Sequence, residues 1–76
     1  MGGQMRALLI LTYIDGSQNV FEGPKEFITQ HWEQARGFAE TYSIFVAYQG
    51  SWVCMRRNNP WVDGEPSPLE LLDFGS

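Results

Sequence analysis

The chain has one cysteine, Cys54, and one histidine, His31, in 76 residues. A single cysteine excludes an intramolecular disulfide, and with one histidine it cannot complete a Cys/His zinc site. No metal site and no cofactor is therefore expected. Basic residues are also scarce: five Lys and Arg stand against nine Asp and Glu, for a net charge of −4. Nucleic-acid binders usually present a basic surplus, so this balance argues against such a partner. No apolar run approaches 18 residues, which excludes a membrane-spanning helix. The first residues lack the charged segment and small-residue cleavage site of a signal peptide. An unpaired cysteine without such a signal fits a reducing cytoplasm. GxxxxGK, GxGxxG, HExxH and EF-hand patterns are all absent.

What is present is 43% apolar and 14% aromatic content in a chain of single-domain size. A domain this short buries only about 60% of the surface its unfolded form exposes. Such domains often lean on disulfides, metals or a partner subunit. The first two are missing, which leaves oligomerisation, with a homodimer as its simplest form.

Residues 1–4 carry no pattern and read as a flexible N-terminus or a cloning remnant. Met5–Ile14 is a continuous apolar and β-favouring run, expected to be a central strand covered on both faces. Asp15-Gly16 is a hairpin signal of the type I′ kind, followed by a short return strand, Asn19–Glu22. That turn would set Val20 beside Leu11 and Phe21 beside Ile10. Pro24 opens a helix, whose apolar stripe is Ile28, Trp32, Ala35, Ala39 and Tyr42. Glu26, Glu33 and Glu40 would line its solvent side. Gly37 would bring that helix close to the sheet. Ser43–Gln49 is a second apolar strand, turned by Gly50-Ser51. Trp52–Arg57 is the fourth, with Trp52, Cys54 and Arg56 on one face. The expected fold is α+β: ββαββ over residues 5–59, a four-stranded antiparallel sheet of order 2-1-3-4, one long helix on one face, and an acidic, Pro-containing C-terminal tail.

The tail, residues 60–76, holds all of the net charge, because acids and bases cancel over residues 1–59. It is also apolar, so it must dock on its own sheet or on a partner. Its own molecule offers the sheet face that the helix leaves open. As a contact for a protein partner, the candidate residues are Trp61, Asp63, Glu65, Leu69, Glu70, Leu72, Asp73 and Phe74, an amphipathic pattern suited to a groove. The corresponding function is a small non-enzymatic protein–protein interaction module of inhibitor or adaptor type. The alternative is a single-strand nucleic-acid module that stacks bases on Trp52 and Trp61 and holds phosphates with Arg56 and Arg57. No catalytic residue is assigned. A Cys54–His31 thiol pair is the remaining enzymatic candidate, against cysteine's usual role as a small buried apolar residue.

Overall fold

The computed structural model describes residues 5–71. Their order is β1 (Arg6–Thr12), β2 (Gln18–Pro24), α1 (Lys25–Ala35), β3 (Thr41–Tyr48), β4 (Ser51–Asn59) and a final 3-10 turn (Pro68–Leu71). The strands form one antiparallel sheet of order β2-β1-β3-β4. The most apolar strands, β1 and β3, take the centre, as the sequence pattern requires. No helix among the described residues is long and apolar enough to cross a membrane.

The first hairpin differs from the two-residue turn expected. Gly16 N–H donates to the Tyr13 carbonyl and Tyr13 N–H to the Ser17 carbonyl, both at 2.9 Å. The loop is thus three residues, Ile14-Asp15-Gly16, with Gly16 at φ +89°, a left-handed position that glycine accepts without a Cβ clash. Asp15 Oδ1 accepts from Ser17 N–H at 2.9 Å and from its hydroxyl at 2.7 Å, which favours the longer loop. One extra residue shifts the register, pairing Ile10 with Val20 and Leu9 with Phe21. The two-residue turn occurs instead between β3 and β4, at Gln49 and Gly50, both at positive φ.

The helix is also shorter than its apolar stripe suggested. It ends at Ala35 because Gly37 adopts φ +92° just beyond it, a left-handed helix stop. No neighbouring atom crowds Gly37, so its role is conformational and not close packing. Ala39 and Tyr42 still join the core, but from the following turn and from β3. Glu40 accordingly leaves the helical carboxylate row, and Glu40 N–H bonds the Thr12 carbonyl at 2.8 Å.

Side chains alternate across a strand, so the register sorts the sheet into two faces. Ala7, Leu9 and Leu11 from β1 and Tyr42, Ile44 and Val46 from β3 turn to the helix side, where they bury Ile28, Trp32 and Ala35. The helix lies over β1 and β2. The β3–β4 half of that same face is covered by the tail, through half-buried Trp61 and fully buried Leu69. This corrects the expectation that the tail would close the second face. An 11-residue helix is too narrow for four strands, so the uncovered half of its own face takes the tail first.

The opposite face has no covering element among the described residues. It carries Leu8 and Ile10 from β1, paired across the sheet with Glu22, Val20, Phe45 and Ser43. On β4, Cys54 stands opposite Phe45 and Trp52 opposite Ala47. A bulge at Met55 breaks the expected alternation, since Ile44 pairs with Arg56 while Phe45 pairs with Cys54. Arg56 is thereby moved to the helix side.

Candidate functional site

Two surfaces emerge from this layout: the seam where the tail meets the helix, and the open sheet face. The seam is organised by Arg36, one residue past the helix end. Its guanidinium lies 4.7 Å over the Trp32 ring. Its two terminal nitrogens donate to the Val62 carbonyl at 3.1 Å and to the Glu65 carbonyl at 2.9 Å. A planar fork of donors suits this bridging of two carbonyls. Thr29 and Ser67 hydroxyls meet at 3.2 Å farther along the helix. Ser67 is buried, and its Oγ also accepts from Leu69 N–H at 3.3 Å.

Beneath the clamp, three aromatic rings close the layer. Trp32 meets Tyr42 edge-on at 5.6 Å, and Trp61 lies 4.8 Å from Tyr42 and 6.4 Å from Trp32. Burial pushes the Tyr42 phenol above its ordinary pKa, and the nearby Glu65 carboxylate adds to the rise, while Trp32 and Arg56 oppose it in part. The folded state therefore holds this proton more tightly than the unfolded chain. Stability should fall as pH climbs past about 10, the free phenol value. Urea midpoints between about pH 9 and pH 11, compared with Tyr42→Phe, check this: the variant should lose part of the downward slope.

The tail residues named as partner contacts divide accordingly. Trp61 and Leu69 pack inside the molecule, and one carboxylate oxygen of Glu65 is buried. Asp63 and Glu70 are exposed. Leu72, Asp73 and Phe74 lie outside the described residues. The nucleic-acid cluster is not one surface. Trp52 sits on the open face, Arg56 and Trp61 lie beside Tyr42 on the helix side, and Arg57 is exposed on β4. Cys54 is exposed on the open face. His31 packs on the helix side against Phe21 at 4.2 Å and Phe27 at 4.4 Å. The sheet separates thiol from imidazole.

Sequence reasoning missed the Arg36 clamp, because backbone carbonyl acceptors 26 and 29 residues away leave no composition signal. No family model matches the chain, nor does a curated protein or a solved structure.

Proposed function

We propose that the protein is a non-enzymatic protein–protein interaction module of adaptor or inhibitor type that works as a homodimer, with the open sheet face as its self-contact. The carrying observation is that, among the described residues, no layer covers one face of the sheet, which holds Leu8, Ile10, Val20, Phe45 and Trp52. Val20 is 60% exposed and Trp52 43% exposed. A central strand that is apolar on both sides reads as one meant to be covered twice.

A second copy suits this face for two reasons. Its β1–β2 half carries one base and one acid, Arg6 and Glu22, 3.4 Å apart. A two-fold axis can match such a pair with its own image, since the same patch serves both subunits. Strand spacing of about 4.8 Å and a rise of about 3.3 Å per residue make the face roughly 20 Å on a side. Two such faces bury on the order of 1,000 Å², close to the lower bound for a specific interface, so a weak dimer is expected. Separation of Cys54 from His31 favours the non-enzymatic reading over a thiol enzyme. An exposed free thiol suits a reducing compartment, and the proposal includes a cytoplasmic location.

Sedimentation of the full chain tests the self-contact. The expected mass rises towards twice 8.7 kDa with concentration, and Val20→Lys/Trp52→Lys returns it to a monomer with unchanged far-UV circular dichroism. A wild-type chain that stays monomeric at millimolar concentration would overturn the dimer.

A further inference from the structure

A second apolar feature lies away from the open face, at the end of the helix layer that carries the first hairpin. Leu11, Phe21 and Ala35 floor a cleft there, with Tyr13, His31 and Gln34 around it and Phe38 at its rim. Its volume is about 190 Å³. Sites for drug-sized ligands start near 300 Å³, so this cleft is on the scale of one side chain. The His31 ring is fixed by stacking on Phe21, 16° from parallel, and by the edge contact with Phe27. The Tyr13 hydroxyl is held by the Asn19 amide at 3.0 Å. The walls are therefore set before anything binds.

The surroundings are those of a contact surface. Ile14 is 88% exposed and Phe38 80% exposed, the two highest values among the exposed large apolar residues described. The bond from Glu40 N–H to the Thr12 carbonyl ties the turn holding Phe38 to the strand end that leads into Ile14. Both residues thus stand at the same end of the molecule. Anchor pockets ringed by such contacts concentrate binding energy at protein interfaces.

Charge decides the occupant. Asp15 lies two residues beyond Tyr13, and Glu40 two beyond Phe38; both are exposed. No lysine or arginine lines the cleft. Arg6 is at the far end of β1, Lys25 at the opposite end of α1, Arg36 is committed to the tail, and Arg56 and Arg57 are on the distant edge strand. A second copy would bring the same two acids to this end of the molecule.

We propose that this cleft anchors an aromatic side chain flanked by lysine or arginine on a partner protein. The site is complete in one chain and stands whether or not the open face pairs with a second copy. If it does pair, the clefts stay on the outward sides and the dimer presents two of them.

Two short probes test the proposal on the full isotope-labelled chain: acetyl-Lys-Phe-Lys-amide and acetyl-Glu-Phe-Glu-amide, followed by NMR. The basic peptide should shift Tyr13, His31, Gln34 and Phe38 with millimolar affinity, the level a single filled contact reaches. The acidic peptide should bind about tenfold more weakly. Ala35→Leu, which fills the floor, should abolish the shifts. Because that change could disturb folding, Asp15→Asn/Glu40→Gln serves as the second variant. It should keep the shifts and bring the two peptides to within about twofold. Val20→Lys/Trp52→Lys should bind as wild type does, which separates this site from the self-contact. Absence of shifts at those four residues, equal affinity for both peptides, or concentration-dependent shifts of the same residues without peptide would each overturn the proposal.

Discussion

Trp32→Ala is expected to cost about 3–5 kcal/mol and to leave little cooperative structure. Trp32 is fully buried. It touches Tyr42 and Trp61 by its ring and carries the Arg36 guanidinium on its face. It therefore joins three layers: sheet, helix and tail. An isolated 11-residue helix is marginal in water, so α1 persists through its buried stripe of Ile28, Trp32 and Ala35. A domain of this size has total stability on the order of 4–11 kcal/mol, so the loss is a large fraction of the whole. Trp32→Phe should cost much less, about 1–2 kcal/mol. Its ring keeps most of the contact, while loss of the indole N–H beside the Tyr42 hydroxyl accounts for part of that cost. Urea unfolding of both variants measures the difference. A loss below about 1 kcal/mol for alanine would contradict the buried position.

The fold was legible wherever local chemistry and long-range packing agree. The run Met5–Ile14 is apolar on both faces from Ala7 to Leu11, so it had to be central, and the strand order followed. Gly37 marked a departure in the helix, although as its stop. Elsewhere two structures shared one pattern. Asp15-Gly16 serves a two-residue turn and a three-residue loop alike, and only the Tyr13–Ser17 pairing separates them. Tyr42 falls at helical spacing after Ala39, yet the chain has already turned into β3. The Met55 bulge has no local signature, and it undid the apparent Trp52–Arg56 face. The candidate site was less legible still. Trp61 and Leu69 were expected on the sheet's second face or in a partner's groove, because nothing in their own segment shows that the helix leaves the β3–β4 half of its face bare. The cleft under Phe38 depends on the hairpin register and the helix stop together. The register departs from expectation by one residue and the helix end by about two turns, so the cleft was invisible from sequence.

Ending the chain at Pro60 should abolish cooperative unfolding. The deletion removes Leu69, which is fully buried, and Trp61, which packs on Tyr42. It also strips Arg36 of both carbonyl acceptors and uncovers Trp32 and Tyr42. Leu69→Ala alone should cost about 2–5 kcal/mol. The shortened chain is expected to keep much of its far-UV signal, lose its near-UV signal and bind a hydrophobic dye, the marks of lost specific packing. A chain of residues 1–60 that melts cooperatively within a few degrees of the full protein would show that the tail is not part of the core. This outcome governs how partner binding is to be tested. Loss of binding on deletion would follow from unfolding alone, whatever the tail contacts. Asp63 and Glu70 are exposed and make no core contact, so Asp63→Asn/Glu70→Gln leaves the fold intact. A partner that reads the tail's charge should bind that variant more weakly, whereas a partner held in the Phe38 cleft should not distinguish it from the wild type.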